Sequence, residues 1–170
     1  MDILKNDCEI TAYVDGACWN NGQKSAKGGW AFVICFEKNK EIHSSGYIEP
    51  TTNQRMELTA LIKALEEIKA KFQNTEKTIT ILSDSEYVVK GVNDWMFNWE
   101  KKGWQRTRKK SRGDLKNLDL WKRAYELVKD LRPVVKWIKG HNGNEYNELC
   151  DALATTSIQM QEHYYKMIRK

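Results

Sequence analysis

The stretch EITAYVDG, residues 9–16, decides how the rest of the chain is arranged. Ile10, Ala12 and Val14 alternate with Glu9, Thr11 and Tyr13, the period of two expected of a strand, and Asp15-Gly16 then reads as its end. The same pattern recurs in TITILSDS, residues 78–85, where Ile79, Ile81 and Leu82 run into Asp84 just before a helical segment. In open sheets with parallel strands, sites form beyond the carboxyl ends of the strands, so Asp15 and Asp84 are candidates to share one crevice.

Working outward, residues 17–29 read as a polar, glycine-bearing loop, and residues 30–37 and 41–48 as a hairpin turning at Lys38-Asn39-Lys40. Pro50 closes this part. Thr51 or Thr52 can cap a helix, with Thr51 and Gln54 at capping-box spacing. Leu58, Leu61, Ile62, Leu65, Ile68 and Phe72 recur at three- and four-residue steps and predict a helix over 54–71, with Glu57 in its first turn, off the centre of the apolar stripe. Residues 78–83 form the fourth strand, residues 85–93 a short helix, and a second short helix carries Trp95 and Trp99 on one face. Asn117 or Asp119 caps a helix reaching about residue 130. Pro133 opens a fifth strand over 134–138. In KGHNGNEYNELCDALA, residues 139–154, a glycine- and asparagine-rich loop surrounds His141. The helix after it has Leu149, Ala152, Leu153 and Thr156 as its expected core face, which turns Asp151 away from that core. This order implies an α/β fold: a five-stranded mixed sheet of three antiparallel strands and two more parallel to the first, with helices on both faces. It is read as a single domain over 1–170, with an N-terminal extension at 1–8 and a fraying tail at 157–170.

Composition narrows the function. A chain of 170 residues can bury roughly two-thirds of its unfolded surface without staples. Cys8, Cys18, Cys35 and Cys150 form no CxxC pair, and His43, His141 and His163 lack metal-ligand spacing, which argues against zinc and against a disulfide framework. With no long apolar run, the expectation is a soluble, cytoplasmic protein with no membrane partner. The net charge of +5 is unevenly spread: residues 101–112 hold seven basic side chains and no acid, directly after Trp95 and Trp99 and around Trp104. Aromatic rings interleaved with lysine and arginine suit base stacking and phosphate contacts.

YVDGAC (13–18), TTNQRMEL (51–58), LSDSEYV (82–88), NWEKKGWQ (98–105) with KNLDLW (116–121), and the 139–154 segment follow one another in a recognisable order. Together they resemble the type 1 ribonuclease H family, over roughly residues 10–155. The resemblance implies the ribonuclease H-like fold and an endonuclease that hydrolyses the RNA strand of RNA/DNA hybrids, leaving 5′-phosphate and 3′-hydroxyl ends. It also implies that Asp15, Glu57, Asp84 and Asp151 are the metal-binding carboxylates and His141 the mobile-loop histidine. Cys18, Asn21, Thr52, Asn53, Gln54 and Glu86 fall on positions near the hybrid, with Glu86 standing where relatives often carry glutamine. Trp95, Trp99, Lys101, Lys102, Trp104, Lys109 and Lys110 resemble the basic protrusion that grips the DNA strand. The loop after Asp15 is longer than usual and lacks the usual proline, and Asn144 and Glu145 depart from a more basic or proline-bearing version.

The chemistry is coherent with those residue types. Phosphodiester hydrolysis at neutral pH is served by two Mg²⁺ ions, hard cations that prefer carboxylate and water oxygen, with Mn²⁺ able to substitute. Asp15, on the central strand, is the natural bridge between them. The expected partner is an RNA/DNA hybrid, met by a monomer with no obligate protein partner. Two alternatives remain at this point: a nuclease of the same broad fold acting on other nucleic acids, and a non-catalytic hybrid binder.

Overall fold

The structure is a computed structural model that describes residues 9–105 and 115–169. Among these, β1 (Glu9–Trp19), β2 (Lys27–Phe36), β3 (Lys40–Ile48), β4 (Thr78–Ser83) and β5 (Val134–Trp137) form one sheet in the order β3-β2-β1-β4-β5. β1 runs antiparallel to β2 and parallel to β4, and β4 runs parallel to β5, as expected of the ribonuclease H-like topology. The helices are α1 (Asn53–Lys71), α2 (Glu86–Lys90), α3 (Met96–Lys101), α4 (Leu118–Leu131) and α5 (Glu145–Ile168).

Each sheet face has its own core. On one, Ile10, Ala12 and Val14 meet Leu58, Leu61, Leu65 and Ile68 of α1, and Trp121, Ala124 and Leu127 of α4 join the same cluster. On the other, Ala31, Val33 and Cys35 pack against Cys150 and Ala154 of α5. The sandwich explains where strand lengths differ from expectation. β1 does not end at Asp15-Gly16 but continues to Trp19, pairing Gly16 with Trp30 and Ala17 with Gly29. Gly16 is required for another reason: a Cβ there would stand 2.4 Å from the backbone nitrogen of Glu57, so α1 lies directly on the strand. The Gly28-Gly29 pair, which reads as loop, sits inside β2 for the same reason on both faces. A Cβ on Gly28 would be 2.4 Å from Met56 Cγ, and one on Gly29 would be 1.9 Å from the Ala154 carbonyl oxygen.

Helix ends also differ. Thr52, not Thr51, caps α1, its hydroxyl accepting from Arg55 N–H at 3.3 Å, while Thr51 is buried; the capping box with Gln54 does not form. Asn117 precedes α4 in a left-handed conformation (φ 58°) and makes no side-chain cap. Its side chain instead donates to Tyr87 Oη and accepts from Arg55, and Asp119 pairs with that same arginine. The expected two short helices around Trp95 are one helical path, in which a π-helical turn (Gly91–Trp95) links α2 to α3. The buried face of α5 is Asn147, Cys150, Ala154 and Ile158; Ala152 and Thr156 are exposed, and the helix continues through Ile168. Among the described residues no helix is long and apolar enough to cross a membrane, and Cys18, Cys35 and Cys150 are free thiols.

Candidate active site

Asp15 sits where β1 parts from β4. Their last parallel pair is Val14 with Ser83, whereas pairing to β2 goes on through Asp15 and Ala31. The carboxylate is buried and accepts a hydrogen bond from Gly16 N–H at 2.7 Å. Glu57 lies in the second turn of α1, not the first, and is only 7% exposed because the helix presses onto Gly16 at this point. Asp84 follows β4 directly. Its backbone carbonyl accepts from the Trp137 indole N–H at 2.9 Å, Ile138 N–H donates to the Ser83 carbonyl at 2.9 Å, and Asn147 Nδ2 lies 3.4 Å from its Oδ2. The result is a cluster in which one oxygen from each of Asp15, Glu57 and Asp84 lies within 4.8 Å of the other two.

Two of these acids, buried and close to the third, resist ionisation. Burial, then the charges of Asp84 and Asp151, push the Asp15 carboxyl up to about 8 against the pull of the Gly16 N–H. Burial raises Glu57 well above the ordinary carboxylate range, helped by Asp15 and Asp84. Glu57 Oε2 is buried and has no hydrogen-bond partner among the described residues. A buried acceptor with no donor costs stability, and a hard divalent cation would satisfy it while cancelling the repulsion. The donor set, all carboxylate, therefore fits a metal ion of the magnesium or manganese class.

Asp151, half-buried on α5, stands outside that close group, yet its charge reaches Asp15. It arrives at the crevice by a different route from the one expected. On a helix it lies about 40° from Asn147 and about 60° from Ala154, both buried, so it borders the core face instead of opposing it. His141 is exposed in a turn with φ 50°, and the preceding Gly140 abuts the cluster: a Cβ there would be 2.5 Å from Asp84 Oδ2. Asn144 caps α5 by accepting from Asn147 N–H at 3.0 Å, and Glu145 is the first helical residue. Glu86 is exposed and paired to Lys90, which holds its carboxyl below the usual range.

The other candidates fall into two surface grooves. Asn21, Thr52, Asn53 and Gln54 line one of about 600 Å³ with Lys116 and Asn117, and Asn21 Oδ1 accepts from Asn53 N–H at 3.0 Å. Trp95, Asn98, Trp99 and Lys102 line another of about 550 Å³, with the Trp95 and Trp99 rings 5.9 Å apart. Lys101 and Lys102 are exposed beside it, and Trp104 packs edge-on against Tyr125 at 5.6 Å. Cys18 lies on β1 with its Sγ 3.7 Å from the Trp19 carbonyl, and partial burial raises its thiol. Lys109 and Lys110 lie outside the described residues. Sequence reading missed Trp137 and Asn147. The second carried a usable signal, since it stands four residues before Asp151 on the same helix face.

A sequence model of the family described as RNase H matches residues 7–159. The chain belongs to the ribonuclease H family. A ribonuclease H of Francisella tularensis subsp. novicida (strain U112) is 40% identical over 159 residues, covering 93% of this chain and 96% of that protein. Among solved structures, LC9-RNase H1, described as a type 1 RNase H with the type 2 active-site motif, is 28% identical with a TM-score of 0.77, over 89% of this chain and 72% of that one. LC11-RNase H1, solved in complex with RNA/DNA hybrid, has a TM-score of 0.64 over 90% of this chain and 99% of its own, at 22% identity. The last likeness speaks for the ribonuclease H fold alone. At the level of family, fold and enzyme class the resemblance drawn from the motifs holds.

Proposed function

We propose that this chain cleaves the RNA strand of RNA/DNA hybrids by two-metal-ion hydrolysis, leaving 5′-phosphate and 3′-hydroxyl ends. The observation that carries the reading is the buried convergence of Asp15, Glu57 and Asp84, one of whose oxygens has no donor among the described residues. Family membership supports it, as does a neighbour of the same fold solved on such a hybrid. Asp15, Glu57, Asp84 and Asp151 are the residues that would hold Mg²⁺, with Mn²⁺ able to substitute. When bound, the ions supply an activated water and neutralise charge on the phosphoryl group and leaving oxygen. Asp15 would be held for that role by its backbone, paired to Ala31 of β2 and preceded by Val14, which pairs to Ser83 of β4. Asn21, Thr52, Asn53 and Gln54 contribute amide and hydroxyl groups able to sense a 2′-hydroxyl, and the family resemblance adds Cys18 and Glu86 to the substrate-contacting set. Trp95, Trp99 and Trp104 with Lys101, Lys102, Lys109 and Lys110 grip the DNA strand. The protein works as a cytoplasmic monomer.

The deciding assay uses labelled RNA/DNA hybrid, RNA/RNA and DNA/DNA duplexes, with Mg²⁺ or EDTA. Cutting of the RNA in hybrid alone, abolished by EDTA, is the expected result. Cleavage of DNA duplex would favour a nuclease of other specificity, and metal-independent binding without cleavage would favour a binder.

Two further outcomes are expected. An imidazole ring can give or take a proton at its nitrogens and so act as a general acid or base. His141→Ala should therefore slow turnover by about 10²-fold or less with an unchanged metal requirement, and an unchanged rate would remove it from the site. Hybrid affinity should fall steeply with salt. Replacing Lys101 and Lys102 with alanine should flatten the slope of log affinity against log salt by about one per lysine, measured by titration from low to moderate salt.

A further inference from the structure

We infer that Asn147 is a positioning residue for Asp84, holding its carboxylate in the orientation that a metal ion needs. The inference rests on the metal-dependent reading above. Asn147 is only 3% exposed, a burial at which most polar side chains are hydrogen-bonded. Its Nδ2 is 3.4 Å from Asp84 Oδ2, and its own backbone N–H is fixed by the Asn144 side chain at 3.0 Å. The same Asp84 oxygen is closed in from another side by Gly140, where a Cβ would come within 2.5 Å. Asp84 otherwise hangs from the end of a strand, held through its backbone carbonyl by Trp137 and through Ser83 by Ile138. Those contacts fix the main chain and leave the carboxylate free to rotate. The amide of Asn147 is the described group that restrains the carboxylate itself, and as a neutral donor it does so without competing for the cation. Groups that orient metal ligands in this way typically change metal affinity or activity 10–100-fold when removed.

The test is calorimetric titration of Mn²⁺ alone into the full chain, wild type against Asn147→Ala and Asn147→Ser. Melting curves in EDTA and hybrid affinity in EDTA are measured alongside. The expected result is a folded Asn147→Ala variant whose Mn²⁺ affinity is about 10–100-fold weaker. Its hybrid affinity should be unchanged, with a smaller loss of Mn²⁺ binding in Asn147→Ser, which keeps a donor. Cleavage by Asn147→Ala should recover as Mg²⁺ is raised. A metal affinity within about twofold of wild type in a folded variant overturns the inference, as does failure of both variants to fold without metal, which would make Asn147 structural. Wild-type protein that binds no Mn²⁺ would instead sink the metal-dependent reading, and the two failures are separable in one experiment.

Discussion

Asp15→Asn is expected to lower hybrid cleavage at saturating Mg²⁺ by roughly 10³-fold or more, and yet to make the metal-free protein more stable. Both effects come from the same position. The carboxylate is buried among Glu57, Asp84 and Asp151, and an amide of the same shape carries no charge to desolvate or to repel them. The sign follows from linkage. The Asp15 pKa rises from 3.8 to about 8 on folding, so the folded state binds the proton more tightly than the unfolded one. The stability this contributes is complete below the unfolded value and is lost as pH climbs through the folded value. Metal-free wild type should therefore melt lower at pH 8 than at pH 5, while Asp15→Asn escapes that part of the decline. At pH 8 in EDTA the variant should melt about 5 °C higher, on the order of 2 kcal/mol. Mg²⁺ should raise the melting temperature of wild type and leave the variant nearly unmoved. A variant that melts below wild type in EDTA at pH 8 would assign Asp15 to the fold instead of the chemistry.

Trp121→Ala should cost about 3–5 kcal/mol, lowering the melting temperature by about 10 °C or more. Trp121 is fully buried, and its indole N–H donates to Tyr87 Oη at 2.9 Å. Its ring meets Tyr87 at 5.4 Å and Trp99 at 5.6 Å, both edge-on. It is thus the floor on which the Trp95–Trp99 groove stands, joining α4 to α2 and α3. Beyond lost stability, the variant should show a raised KM for hybrid with kcat changed little, because the carboxylates belong to other elements. Melting curves and steady-state kinetics at a temperature where the variant is folded would check this. A loss under about 1 kcal/mol would mean that the groove is supported from elsewhere.

What could be read from the residues divides along physical lines. β4 was legible to the residue because Ile79, Ile81 and Leu82 are bounded by Asp84 and a helix start, signals that are all local. β1 and β2 were cut short because Gly16, Gly28 and Gly29 look like turn residues, and only the crowding of α1 and α5 against the sheet explains them. Glu57 shows the same limit. Its spacing sets it beside the apolar stripe, and family resemblance, not periodicity, marked it for the site. Its burial depends on how closely α1 approaches β1. Asp151 was selected for a face it does not occupy, since the α5 core is built from Cys150 and Ala154 and not from Ala152. The helix-to-helix tie of Arg55 to Asp119, at 2.7 Å, spans 64 positions and has no local signature.

The scatter of the acidic side chains along the chain has a consequence for biosynthesis. Asp15, Glu57 and Asp84 belong to elements made early, but α5 contributes Asp151 and Asn147 only after more than fifty further residues have been added. Such distant pairings form late, because loop closure must precede them. A nascent polypeptide still attached to the ribosome and lacking α5 has an uncovered sheet face and an unfinished cation pocket. On the proposed reading, a chain without α5 would therefore lack both the last member of its carboxylate set and the cover of Ala31, Val33 and Cys35.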